Sequence, residues 1–125
     1  MAKRVLIIDD SEMALRLISE ALSSYGIDVI ATISPGAFFQ RVFSDEKPDL
    51  ILTDMEMPNI SGSDICRQLK NDPRSKEIPL VILSNLPLSQ LERTAHVLGA
   101  DACLCKATFD EAVVANVLLP LLGLK

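Results

Sequence analysis

One stretch constrains the fold of this chain more than any other, residues 49–58, which read Asp-Leu-Ile-Leu-Thr-Asp-Met-Glu-Met-Pro. Residues 50–52 are consecutive apolar residues without polar alternation, a pattern typical of a parallel strand that is covered on both faces. Pro58 cannot donate to a sheet ladder, so the strand must end before it. Ligand sites in open α/β sheets lie beyond the carboxyl ends of the strands, which is where the sequence places Asp54.

The rest of the chain alternates between apolar runs and stretches of helical periodicity. The predicted strands are residues 5–8, 27–33, 50–53, 78–83 and 102–105. Helices are predicted between and after them, with Ser11, Ser34 and Thr108 as N-caps, and residues 59–63 form a predicted turn. Such alternation predicts an α/β fold, a doubly wound parallel sheet with helices on both faces. The flavodoxin-like (βα)5 arrangement with strand order 2-1-3-4-5 is the expected topology.

Length and charge limit the functions that this chain can have. Its 125 residues, 49% hydrophobic and 23% charged, suit a single domain over residues 1–125, with no output domain. A net charge of −5 argues against direct nucleic-acid binding, which depends on phosphate neutralisation. No apolar run approaches the ~20 residues of a membrane span, and Asp9 interrupts the N-terminal run too early for a signal peptide. We therefore expect a cytoplasmic protein without membrane contact.

The cysteines and the single histidine are not predicted to carry chemistry. Cys66, Cys103 and Cys105 lack a Cys-x-x-Cys or Cys/His metal spacing, so buried free thiols in a reducing compartment are expected. His96 lies in a helical stretch without a second histidine or a cysteine nearby in sequence, and a surface or half-buried helix residue is expected there.

Polar residues follow four of the five predicted strands, and in the expected strand order those four strands are neighbours. The residues are Asp9-Asp10, Asp54, Ser84 and Lys106. Three carboxylates close together repel one another unless a cation is present, which suggests Mg²⁺ with oxygen ligands. An amine and a hydroxyl beside that ion suit a phosphoryl group. A Gly-rich phosphate loop is missing, which excludes a P-loop or Rossmann nucleotide site.

Together these motifs resemble the receiver domain of two-component response regulators, and CheY-like single-domain receivers are the most similar in size. Each motif is weak alone, but the full set in this order, spread over nearly the whole chain, is specific. The motifs are Asp9-Asp10, Asp54 with the following Met-Glu-Met-Pro, Gly62, Ser84 and Lys106.

The resemblance implies a phosphoprotein in a phosphorelay. Asp54 would accept a phosphoryl group from a phosphohistidine on a sensor histidine kinase or phosphotransfer protein. Asp10 and Asp54 would ligate Mg²⁺ with the backbone carbonyl of Glu56, and Asp9 would help through water. The chain would be a signalling receiver rather than an enzyme, with only Mg²⁺-dependent self-phosphorylation and autodephosphorylation.

The resemblance also implies how the signal leaves the site. Lys106 would pair with the phosphoryl oxygens, and Ser84 would move to hydrogen-bond the phosphate. The surface formed by helix four, strand five and helix five would then contact a downstream protein or a second copy of the chain. Five leucines near the C-terminus predict either an exposed patch at this surface or a tail packed onto the sheet. They are Leu118, Leu119, Leu121, Leu122 and Leu124.

Two positions depart from the family pattern, both in the output part of the domain. Cys103 stands where an aromatic residue is usual, and Ala107 stands where a proline follows the lysine. A cis bond before a residue other than proline costs about 2.5–4 kcal/mol, so we expect a trans Lys106–Ala107 bond with the amine still near Asp54.

Two alternative functions remain. A receiver-like scaffold could bind proteins without phosphorylation, although the complete acidic, hydroxyl and lysine set argues against it. A phosphatase with an aspartyl intermediate would carry Asp-x-Asp after the first strand, and Asp9-Asp10-Ser11 lacks that spacing.

Overall fold

The computed structural model describes residues 2–58 and 60–124, in which five strands alternate with five helices. The strands are β1 (Arg4–Ile8), β2 (Asp28–Thr32), β3 (Leu50–Asp54), β4 (Leu80–Ser84) and β5 (Ala102–Cys105). The helices are α1 (Glu12–Ser23), α2 (Pro35–Val42), α3 (Gly62–Asn71), α4 (Leu88–Leu98) and α5 (Glu111–Leu121). None of the helices in the described part of the chain is long and apolar enough to cross a membrane.

The strands form one parallel sheet in the order β2-β1-β3-β4-β5, which confirms the predicted topology. β3 lies at the centre, and all five of its residues are buried, as the uninterrupted apolar run predicted. β1 and β3 are paired in register with Ile8 opposite Thr53, so the residues that follow them emerge side by side.

Two apolar layers cover the sheet because successive strand residues point to opposite faces. Val5 and Leu50 belong to the layer that packs against α1 and α5, whereas Leu6 and Ile51 belong to the layer that packs against α2, α3 and α4. The leucines near the C-terminus pack in the first layer, with Leu118, Leu119 and Leu122 buried and Leu121 and Leu124 partly buried. Of the two predictions for this segment, the packed tail is the one observed.

Side-chain caps fix where four of the five helices begin. Ser11 and Ser34 accept hydrogen bonds from Ala14 N and Ala37 N, each at 3.2 Å, as predicted for N-caps. The prediction of Thr108 as the cap of α5 was wrong, because Asp110 accepts from Val113 N at 2.9 Å. The backbone N–H of Thr108 instead donates to Cys105 O, in the turn directly after β5.

Several predicted boundaries shift by one or two residues. β2 is shorter than the predicted 27–33, and β4 begins at Leu80 because the N–H of Ile78 donates to Ser75 O in the preceding turn. Within the predicted turn over 59–63, Asn59 lies outside the described residues, and Ser61 already caps α3. Pro120 lies in the last turn of α5, which ends one residue later.

Candidate functional site

Three carboxylates meet where β1 and β3 end. Asp9 follows β1 and Asp54 is the last residue of β3, and both are buried, whereas Asp10 is exposed. One carboxylate oxygen of each lies within 4.8 Å of the others. The sheet register explains this proximity, since neighbouring parallel strands place their carboxyl ends at one edge. The predicted acidic cluster is therefore present.

Lys106 reaches the same cluster from the end of β5. Its backbone N–H donates to Ser84 O at 2.8 Å, which continues the β4–β5 pairing by one residue. Its Nζ lies 2.8 Å from Asp9 Oδ2 and 3.0 Å from Asp54 Oδ1, so one ammonium contacts both buried carboxylates. The Lys106–Ala107 bond is trans, as are all peptide bonds of the described residues. Both parts of the prediction for this position are confirmed.

The environment of Asp54 makes it a stronger base than an ordinary aspartate. Burial raises its pKa from 3.8 to about 6, and the charge of Asp9 acts in the same direction. A hydrogen bond from Glu56 N at 3.1 Å and the contact with Lys106 oppose this rise by stabilising the charged form. The carboxylate is thus mostly ionised at neutral pH and retains more proton affinity than an exposed aspartate.

The charge of Lys106 is secured by its carboxylate partners. Burial alone would lower its pKa, but the hydrogen bonds and charges of Asp9 and Asp54 outweigh that effect and raise the pKa above its usual value. The side chain therefore supplies a permanent positive charge next to Asp54.

The donor set fits Mg²⁺. Asp9 Oδ1 accepts from Ser11 N at 2.9 Å and from Lys106, whereas Asp9 Oδ2 is buried without a hydrogen bond from the described residues and has only the ion pair with Lys106. A buried carboxylate oxygen that accepts no hydrogen bond from the described residues, beside two further carboxylates, matches the oxygen coordination that Mg²⁺ prefers.

Gly62 is required by space rather than by backbone conformation. A Cβ at this position would collide with the carbonyl oxygen of Asp54 and would lie 2.6 Å from Met55 Cα. The start of α3 therefore packs directly on the backbone that carries Asp54. Close approach explains why a glycine belongs to the motif.

Ser84 makes contacts that the sequence did not indicate. Its hydroxyl donates to Glu56 Oε1 at 2.9 Å, and Asn85 N donates to the same oxygen at 3.1 Å. Ser84 Oγ in turn accepts from Leu86 N at 3.1 Å. Glu56 and Ser84 are 28 residues apart, and the only available signal was that both lie near the carboxyl ends of neighbouring strands.

A cavity of about 410 Å³ opens onto the acidic cluster. Its lining combines polar residues with apolar side chains of α1 and with Phe109. The polar residues are Asp10, Ser11, Asp54, Glu56, Asn85 and Lys106, and the apolar ones are Met13, Ala14, Leu17 and Phe109.

The cysteines and the histidine do not line this cavity. Cys66 is buried in α3, and burial raises the pKa of its thiol to about 11, so it stays protonated. All three thiols are free and Cys105 is also buried, as expected, but the expected burial is wrong for Cys103, which is partly exposed. His96 is exposed on α4.

Comparison with known proteins identifies the family. A model of the response regulator receiver domain matches residues 5–118. Protein RcaC of Microchaete diplosiphon is 32% identical over 103 residues, which are 82% of this chain and 16% of RcaC. Response regulator PleD of Caulobacter vibrioides is 35% identical over 86 residues, which are 69% of this chain and 19% of PleD. The chain thus spans less than a fifth of either relative.

A structural comparison agrees on the fold. Chemotaxis response regulator CheY4 of Vibrio cholerae superposes with a TM-score of 0.81 at 21% identity, covering 97% of this chain and 99% of CheY4. The chain belongs to the response regulator receiver domain family, the CheY-like signalling modules of two-component systems. Phosphorylation and Mg²⁺ are typical of this family.

Proposed function

We propose that this chain is a phosphoacceptor that receives a phosphoryl group on Asp54 from a phosphohistidine, with Mg²⁺ as the cofactor. The observation that carries the proposal is the position of the Asp54 carboxylate, which is buried, ionised at neutral pH and 3.0 Å from the Lys106 ammonium. A nucleophile and a fixed positive charge at one point are the parts that phosphoryl transfer requires.

The proposed step needs little beyond positioning. An oxygen of Asp54 attacks phosphorus, a P–O bond forms, the P–N bond to the donor imidazole breaks, and its electron pair returns to that nitrogen. Lys106 stabilises the charge on the phosphoryl oxygens. Mg²⁺, when held by Asp10, Asp54 and the Glu56 carbonyl, with Asp9 through water, would neutralise the charge that accumulates there.

Water can reverse this modification by attack on phosphorus, which returns the carboxylate and releases phosphate. We therefore propose a signalling receiver that carries out only its own phosphorylation and dephosphorylation. Residues 1–125 form a single receiver domain in this proposal, acting in the cytoplasm without direct contact with nucleic acid or membrane.

The proposed upstream partner is a sensor histidine kinase or phosphotransfer protein, and the downstream partner is a protein or a second copy of this chain. The surface of α4, β5 and α5 contains a groove of about 580 Å³. Leu88 and Val113 border it and are exposed. Because the C-terminal leucines pack inward, these two side chains provide the apolar contact area instead.

Intact mass measurement after incubation with Mg²⁺ and acetyl phosphate tests the proposal. The wild-type chain should gain one phosphoryl group, and Asp54→Asn should gain none. Asp64→Asn is the matched control, because Asp64 is exposed on α3, where it pairs with Arg67. A chelator should abolish labelling of the wild type. An unlabelled wild-type chain that still binds its partners would support the phosphorylation-independent scaffold instead.

A further inference from the structure

We infer that Glu56 is a latch that keeps Ser84 and Asn85 from the phosphoryl position, and that a phosphoryl group on Asp54 releases them by replacing Glu56 as the acceptor. This inference rests on the proposed function and adds a positioning residue to it. It assigns to the Glu56 side chain a role separate from that of its backbone carbonyl.

The hydrogen-bonding capacity of Ser84 supports the latch. A serine hydroxyl has one hydrogen to donate, and Ser84 donates it to Glu56 Oε1 at 2.9 Å. The same carboxylate oxygen accepts from Asn85 N at 3.1 Å. Ser84 therefore has no donor left for a phosphoryl oxygen until the contact with Glu56 breaks. Two donors at the start of the β4–α4 connection are held by one carboxylate from the β3–α3 connection.

The position of Glu56 supplies a reason for release. Glu56 lines the same cavity as Asp54 and Lys106, so a phosphoryl dianion there would repel its carboxylate. The Glu56 backbone is fixed by its N–H bond to Asp54 Oδ1 and by an isolated bridge to Ser61. The exposed side chain can consequently swing away while its backbone stays in place.

The released segment is already connected to β5. Leu86 N donates to Ser84 Oγ, and the Cys105 thiol donates to Leu86 O at 3.3 Å. A rotation of the Ser84 hydroxyl toward the phosphoryl group removes the acceptor of Leu86 N. The change would therefore extend from the acceptor site to the buried end of β5.

Mg²⁺-dependent binding of beryllofluoride, a phosphoryl mimic, tests the latch. Glu56→Ala should bind about threefold to tenfold more tightly, because binding no longer has to break hydrogen bonds to a carboxylate. Glu56→Gln should gain less, since its amide oxygen still accepts from Ser84 and Asn85. The increase in beryllofluoride affinity caused by Glu56→Ala should be smaller when Ser84→Ala is also present, as expected for two residues in direct contact.

Glu12→Ala is the matched control, because Glu12 is an exposed carboxylate at the start of α1 and its loss changes the net charge equally. Equal increases in beryllofluoride affinity in Glu12→Ala and Glu56→Ala would overturn the latch in favour of a general charge effect. Unchanged or weaker binding by Glu56→Ala would overturn it as well, as would a gain that is identical with and without Ser84.

Amide hydrogen exchange of Asn85 in the ligand-free protein separates this inference from the proposed function. Exchange should be faster in Glu56→Ala than in the wild type, and unchanged protection would show that the latch does not form. A failure of every variant to bind beryllofluoride would overturn the proposed function and the role of the latch in it. The exchange rates would still show whether the contact between Glu56 and Asn85 exists.

Discussion

The acceptor half of the site, Asp9, Asp10, Asp54 and Lys106, differs sharply from the output half, which comprises residues 85–88, α4 and β5. In the acceptor half, Asp9 and Asp54 are almost fully buried and both contact Lys106 within 3.0 Å. In the output half, Leu88 is 51% exposed. Segments with few buried contacts open and rearrange at low free-energy cost. Asp9 and Asp54 are therefore held firmly by the core, whereas residues 85–88 of the output half are exposed and can rearrange more easily.

The position of the strands explains the difference. β1 and β3 lie in the middle of the sheet, covered on both faces, so Asp9 and Asp54 at their carboxyl ends are fixed by the core. β5 is an edge strand, and only its last two residues are buried. Lys106 belongs to the acceptor half because it follows this buried end.

The largest expected effect concerns Asp10, the exposed member of the acceptor half. Asp10→Ala should lose Mg²⁺ binding and phosphorylation together, because the remaining protein ligands are too few to hold an ion that keeps several waters. Calorimetry with MgCl₂ and intact mass after acetyl phosphate measure the two effects, with Glu12→Ala as the control. Wild-type Mg²⁺ affinity in Asp10→Ala would remove the carboxylate cluster as the metal site.

Gly62 tests how tightly the acceptor half is packed. Gly62→Ala should lower the free energy of unfolding by about 2 kcal/mol or more, because its Cβ would collide with the Asp54 carbonyl oxygen. Gly36→Ala is the control, since a Cβ there meets only Ser34 Oγ at 3.8 Å. Urea unfolding measures both, and equal stability of the two variants would show that the backbone around Asp54 yields easily.

Asp54 itself should lower stability at neutral pH. Its raised pKa means that the folded state binds the proton more tightly than the unfolded chain. Proton binding by Asp54 therefore adds to the free energy of unfolding fully below pH 3.8, and this contribution is lost as the pH rises through about 6. In the presence of a chelator, Asp54→Asn should be about 1–3 kcal/mol more stable than the wild type at pH 8.

The pH dependence of this difference in stability between Asp54→Asn and the wild type is the test. Urea midpoints of wild type and Asp54→Asn should approach each other as the pH falls from 8 toward 4.5, because protonation removes the buried charge in the wild type. Asp64→Asn should show no such convergence, since Asp64 is exposed and paired on α3. A difference in urea midpoint that stays constant with pH would mean that burial of the Asp54 charge does not cause the lower stability of the wild type.

The smallest expected effect concerns Cys103 in the output half. A thiol has no ring that can rotate between two positions, so phosphorylation should shift the amide resonances of residues 84–88 more than those of β5 near Cys103. Cys103 is only partly buried against the apolar layer of α2, α3 and α4. It therefore cannot replace an aromatic ring that alternates between a buried and an exposed position. Equal shifts in both segments would show that the output half moves as one unit.

The sequence predicted the parts of the molecule that depend on local pattern. Apolar runs and helical periodicity indicated the five strands and their alternation with helices, and the common topology gave the observed order. Strand ends then predicted that Asp9, Asp54 and Lys106 would meet, which their distances confirm. The packing of Gly62 on the Asp54 backbone explains a motif position that the sequence alone left unexplained.

Contacts between distant side chains could not be predicted in this way. Thr108 and Asp110 are both good capping residues, and only the turn after β5 decides between them. The hydrogen bond from Ser84 to Glu56 depends on the rotamers of a residue at the end of β4 and a residue in the connection after β3. The sequence left open whether the C-terminal leucines are exposed or packed, and only the structure shows that they join the layer of α1 and α5.

Identification of the modified residue tests most directly whether the acceptor half carries the chemistry. The chain would be phosphorylated with acetyl phosphate and Mg²⁺, reduced with borohydride to convert an acyl phosphate into homoserine, and digested for tandem mass spectrometry. We predict homoserine at Asp54 alone, with Asp9, Asp10 and Glu56 unmodified. Homoserine at Asp9 or Asp10, 5-hydroxynorvaline (the product of a reduced glutamyl phosphate) at Glu56, or a label that survives in Asp54→Asn would contradict the assignment.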